Sequence, residues 1–243
     1  MDRLEWLEQG RLTVIVGYSG SGKTEFSVNL ALTLARRGKR TALADLDVVN
    51  PYFRSRERRE LLAREGVRLI ATSQACVDAD VPAMPAEVNV LFQDPALWGV
   101  LDIGGGGVGA RVLARYRPQL LGSQCRVLFV LNARRPQTRD VEGALASLEE
   151  IRAVTGLPVD GLVDNTHLCR ETERADLEAG AALAKAVSSR TGLPVVCHVV
   201  QEGLLDRAEG LPGPWFPVRL YMNRPWEMDE EKEECPHASE IDL

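Results

Sequence analysis

The residues with the most specific chemistry are eight in a row, Gly17-Tyr18-Ser19-Gly20-Ser21-Gly22-Lys23-Thr24, in a chain of 243. Their pattern is a glycine, any four residues, then Gly-Lys-Thr. Glycines let successive backbone N–H groups turn inward around an anion, and a helix opening just after them aims its positive end at the same point. In such a loop Lys23 reaches the β- and γ-phosphates of a nucleotide, and the Thr24 hydroxyl ligates Mg²⁺. An ordinary glycine turn is the bland alternative. The context argues against it, because the apolar run Leu12–Val16 leads in and Phe26, Leu30 and Leu34 follow four apart, as an amphipathic helix requires.

Three acids in two segments stand where they could complete such a site. Asp45 and Asp47, in Ala44-Asp45-Leu46-Asp47, end an apolar strand. Carboxylates there share the sheet edge at which open α/β folds bind ligands. One could hold a Mg²⁺-bound water and the other orient the attacking water, or both could cap the following loop. Asp102, in Leu101-Asp102-Ile103-Gly104-Gly105, also ends an apolar run, the arrangement that acts on Mg²⁺ through water. Gly105 allows a backbone N–H to approach a γ-phosphate, so Gly104–Gly107 could sense hydrolysis.

The elements that must position these residues alternate. Strands are expected at Leu12–Val16, Thr41–Leu46, Val67–Ala71, Leu97–Ile103, Val127–Asn132, Val159–Asn165 and Val195–Val200, and helices at 23–37, 108–117, 138–155 and 172–190. Buried strands alternating with crossover helices predict an α/β fold, a three-layer P-loop NTPase with a mostly parallel central sheet. Gly38 stops the first helix, after Arg36 and Arg37 near its negative end, where cations are favoured. Residues 72–95 read as loops and a short helix. Residues 1–210 form the expected nucleotide-binding domain. Residues 211–243 form an extension, with Trp215, Phe216 and Trp226 as apolar anchors before an acidic tail.

Together these motifs resemble the MinD/ParA/CobQ group of P-loop ATPases across residues 10–200. GYSGSGKT is similar to its phosphate loop, ALADLDVVNP to its switch I, and LDIGG to its Walker B and switch II. The resemblance implies that Asp47 orients the attacking water and that Asp102 and Thr24 support Mg²⁺. It also implies that Asn165 hydrogen-bonds the adenine edge and that a homodimer faces through the nucleotide sites. The stretch DLDVVNPYFRSRE resembles an uncharacterised MinD-like subgroup. Many members carry a second lysine after the first glycine, reaching across to the partner's nucleotide. Tyr18 stands there, and tyrosine supplies no cation.

Base preference follows from Asn165-Thr166-His167-Leu168. It lacks the Lys and Asp of the Asn-Lys-x-Asp run that pairs with guanine, so ATP is favoured over GTP. The first expectation is a slow, Mg²⁺-dependent ATPase that switches contacts with an unidentified protein partner as ATP becomes ADP. A small-molecule kinase or ligase of cofactor synthesis and a non-hydrolysing nucleotide-binding adaptor are the alternatives.

Composition narrows the setting. The net charge is −6, but residues 227–243 hold eight Asp/Glu and one Lys, leaving 28 basic and 27 acidic residues elsewhere. The body therefore lacks the basic footprint of a nucleic-acid binder. No apolar run is long enough to span a membrane, and five scattered cysteines without a CxxC pair suit reduced thiols in a cytoplasmic protein. Arg54, Arg56, Arg58, Arg59 and Arg64, interleaved with Glu57, Glu60 and Glu65, read as a solvated helix face, with Arg54 or Arg56 near phosphates as the sharper alternative. Arg134 and Arg135 could line the nucleotide mouth. His167 and His198 read as isolated histidines.

Overall fold

The computed structural model describes residues 4–47, 58–71 and 86–222. In chain order the strands are β1 (Leu12–Gly17), β2 (Thr41–Leu46), β3 (Val67–Ala71), β4 (Trp98–Ile103), β5 (Cys125–Leu131), β6 (Gly161–Asp164), β7 (Val195–Gln201) and β8 (Trp215–Val218). The helices are α1 (Lys23–Arg36), α2 (Arg59–Arg64), α3 (Val90–Gln93), α4 (Gly106–Ala110), α5 (Leu113–Leu121), α6 (Val141–Thr155) and α7 (Arg174–Thr191). All seven strand pairings are parallel, in the order β3-β2-β4-β1-β5-β6-β7-β8.

Strand periodicity explains the layers. Leu12, Val14 and Val16 of β1 join one core with Leu91, Leu113, Leu148 and Val187 from α3, α5, α6 and α7. Ile15 points the other way, into a second core with Phe26 and Leu30 of α1 and Leu62 of α2. Side chains two apart share a face of a strand, so β1 feeds both helical layers. That is the expected three-layer α/β fold.

β1 lies between β4 and β5, with β2 and β3 beyond β4 and β6 to β8 beyond β5. The direction of winding therefore reverses at β1, and the crevice outside the carboxyl ends of the strands opens there. In register, Ile15 stands beside Asp102, and Asp102 beside Asp45. The two acids of β2 and β4 are thus neighbours on the sheet, next to the strand that ends in Gly17.

Several expectations change in detail. The helix expected at 108–117 is two, α4 and α5, with Arg111 and Val112 between them. β8, which lies in the segment expected to run along the body as an extension, pairs with β7 through His198–Gln201. Prolines at 214 and 217 mask its strand pattern, and an edge position tolerates them. Of the short helix expected within 72–95, the described part is a 3-10 turn, Ala86–Asn89, running into α3. Arg54, Arg56, Glu57, Trp226, Cys76 and Cys235 lie outside the described residues.

Candidate functional site

The loop after β1 is held from several directions. Gly22 has φ +86°, a left-handed conformation, and the Asn165 amide lies where a Cβ would project. Both facts require glycine. Asn165 Nδ2 donates to the Ser21 carbonyl at 2.7 Å, tying the loop to the end of β6. The Arg135 guanidinium donates from Nε to the Gly20 carbonyl at 2.6 Å. Gly105 packs so tightly that a Cβ on it would stand 2.7 Å from the Ser19 nitrogen, and one on Gly104 would stand 2.8 Å from Asp47 Oδ1. The segment after β4 therefore touches both the phosphate loop and the acid beyond β2.

Charge is concentrated beneath the loop. Lys23 is buried, and its Nζ donates to the Tyr18 carbonyl at 3.0 Å. An ammonium carries three N–H donors, and this is its one hydrogen bond among the described residues. Burial lowers the Lys23 pKa, opposed by the charges of Asp102 and Asp47. Asp102 is pushed up to about 7 by burial first and by Asp45 next, with Lys23 and a hydrogen bond from Thr24 pulling it back. Ser27 Oγ also donates to Asp102 Oδ1, at 3.1 Å. Asp45 Oδ1 accepts the Asp47 N–H at 3.3 Å. Asp45, Asp47 and Asp102 are all buried.

These groups bound a cleft of about 450 Å³. It is lined by Ser19, Gly20, Gly22, Lys23, Thr24, Asp47 and Gly105. His167, Leu168 and Cys169 after β6, Leu220 and Met222 after β8, and Arg134 and Arg135 after β5 line it as well. Asp45 and Asp102 are buried and are not part of this lining. His198 is no cleft residue. It is buried, its ring pairs with Asp164 at 2.8 Å, and it stacks near Trp215. Arg134 pairs with Asp176 at the start of α7.

The residues fit a nucleotide with a divalent cation. Ser21 Oγ is buried without a hydrogen-bond partner among the described residues, a cost a phosphate oxygen would relieve. Asp45, Asp47 and Asp102 gather oxygen atoms beside Lys23 and Thr24, and burial with the charge of Asp45 raises the Asp102 pKa. A hard cation with oxygen ligands suits such a donor set. Among the described residues no set of three or more His, Cys, Asp or Glu side chains is arranged to hold a metal alone. A cation here would draw ligands from Thr24, phosphate and water as well.

One contact was not foreseen. Glu25, directly after Thr24, accepts the Tyr221 N–H at 2.7 Å through Oε1 and the Met222 N–H at 3.1 Å through Oε2. One turn on, Asn29 Oδ1 accepts the Arg219 N–H, and its Nδ2 donates to the Arg219 carbonyl, both at 2.9 Å. The only signal in the sequence is an acid in the first turn of α1, which capping preferences alone explain.

The fold has known counterparts. The cell division protein FtsY of Thermotoga maritima superposes with a TM-score of 0.56 at 21% identity, covering 79% of this chain and 62% of that one. Chloroplast FtsY of Physcomitrella patens gives 0.54 at 21% identity, covering 79% and 59%. The signal recognition particle 54 kDa protein of Aeropyrum pernix, solved in complex with GDP, gives 0.50 at 22%, covering 79% and 41%. This chain thus spans less than two thirds of their lengths, and identity this low shows a shared fold alone. No curated protein matches the sequence. Among the described residues no helix is long and apolar enough to cross a membrane. The pattern of the CobQ/CobB/MinD/ParA nucleotide binding domain matches residues 12–191 of the 243, and the chain belongs to that family of P-loop nucleotide-binding domains.

Proposed function

We propose that the protein binds Mg·ATP and hydrolyses it slowly, as a MinD-like switch acting on a protein partner. The observation that carries this reading is the packing of Gly104–Gly105 against Asp47 and Ser19. A γ-phosphate held by Lys23 lies next to this junction, so its presence or loss alters how the segment after β4 meets the phosphate loop. In this reading Gly17–Gly22 cradle the phosphates with backbone N–H groups, and Lys23 neutralises the β- and γ-oxygens. Thr24 ligates Mg²⁺, supported through water by Asp102 and Asp45, and Asp47 orients the attacking water. Magnesium supplies charge neutralisation at the transferring phosphate. Gly105 offers its N–H to the γ-phosphate. Asn165, whose amide meets Ser21, holds the loop and is the candidate for the adenine edge.

Slow turnover follows from Tyr18, which puts no second cation at the phosphates. The extension from residue 211 supplies Leu220 and Met222 to the cleft, which supports treating it as an accessory to the domain at 1–210. The decisive experiment measures ATP and GTP binding and hydrolysis with and without Mg²⁺, for the native chain and Lys23→Ala. GTP is included because the Aeropyrum pernix neighbour holds GDP. Expected are Mg²⁺-dependent ATP binding and turnover below about 1 s⁻¹, both lost in Lys23→Ala. Tight binding without turnover would leave an adaptor, and a preference for GTP would overturn the base assignment. Absence of binding to either would end the proposal.

A further inference from the structure

We propose that residues 219–222 form the wall of the cleft that contacts the nucleobase, and that Glu25 is the residue positioning this wall. The inference rests on the nucleotide-binding reading above and adds the part of the ligand this segment recognises. The phosphate end of the cleft is accounted for by Ser19–Thr24, Asp47 and Gly105. The remaining lining includes three apolar side chains, Leu168, Leu220 and Met222. Apolar and thioether groups offer a flat aromatic ring contact area, and they offer a triphosphate nothing.

Residues 219–222 are placed by α1 through four hydrogen bonds. Each Glu25 oxygen takes one backbone N–H, and Asn29 exchanges two bonds with Arg219. Glu25 and Asn29 are four apart, one above the other on the same helix face. Lys23 and Thr24, two and one residues before Glu25, serve the phosphate end. The start of α1 therefore carries both the phosphate-facing residues and the groups that hold residues 219–222, so one helix links the two parts of the lining. Tyr221 and Met222 both pack against the α1-side core, which anchors the segment while Leu220 and Met222 line the cleft.

The test compares two ligands in the full-length chain by calorimetry with Mg²⁺. Mg·ATP engages both ends of the cleft, whereas Mg·tripolyphosphate has no base. The double variant Leu220→Ala with Met222→Ala should weaken ATP by about tenfold, or 1.4 kcal/mol, and leave tripolyphosphate unchanged. Glu25→Ala should show the same split, and Glu25→Gln, which retains one acceptor oxygen, should fall between. Circular dichroism checks the fold, and the double variant decides if Glu25→Ala does not fold. Equal losses for both ligands, or undiminished ATP affinity, would overturn the assignment. Wild-type protein that binds neither ligand would instead sink the nucleotide-binding reading itself, and this inference with it.

Discussion

At the scale of single residues, Asp102 connects burial to pH. Its carboxyl rises from 3.8 to about 7, chiefly through burial and then through Asp45. An acid whose folded pKa is raised holds a proton in the fold that it releases when unfolded. Its contribution is therefore fully present below pH 4 and is lost as pH climbs to about 7. Asparagine keeps a similar shape and cannot ionise. In Mg²⁺-free, nucleotide-free protein, the stability of Asp102→Asn relative to wild type should rise with pH across that window, by at most about 1.4 kcal/mol per pH unit. Urea unfolding at pH 5, 6, 7 and 8 gives the difference, with the gain flattening at pH 8. A flat difference throughout would mean that Asp102 stays ionised in the fold, its charge matched by Lys23.

Elements show why some parts of this fold were legible. Parallel strands covered on both faces read as unbroken apolar runs, and the seven runs found in the sequence are β1 to β7. The eighth is short, holds Pro217, and follows Pro214, so nothing in its local pattern marks it. What fixes it is tertiary. Phe216 meets Trp6 and Phe26 with ring centroids 5.6 Å apart in each pair, close to edge-on. Three rings from both chain ends and from α1 thus share one cluster, and α1 is buried beyond the single stripe of Phe26, Leu30 and Leu34 because β8 and the N-terminal turn cover more of it. Phe216 is 1% exposed, so Phe216→Ala should cost about 3–5 kcal/mol. Phe92, which stacks on Tyr116 but is only partly buried, should cost clearly less when truncated. Matched urea curves rank the two, and equal or inverted costs would show that β8 is not fastened by its aromatic contact.

For the whole molecule, the split between legible and hidden follows distance along the chain. The phosphate loop is contiguous, so eight residues announced it. Its braces are not: Asn165 reaches Ser21 across 144 positions, Arg135 reaches Gly20 across 115, and Glu25 reaches Tyr221 across 196. No local pattern encodes such pairs, because each becomes neighbourly only when parallel strands bring their carboxyl ends to one edge. The same geometry makes ligand binding a global event. The cleft is walled by segments that follow β1, β2, β4, β5, β6 and β8, and the unfolded chain has no such site. Nucleotide at about a hundred times its dissociation constant should then add about 2.7 kcal/mol of stability. For a chain of this length, that corresponds to a rise in Tm of about 5–10 °C. Differential scanning fluorimetry with an ATP titration in Mg²⁺ reads it directly, and the rise should grow with concentration and vanish in Lys23→Ala. A shift that persists in Lys23→Ala would place the ligand elsewhere. No shift at saturating ATP would mean that these walls do not close on a nucleotide.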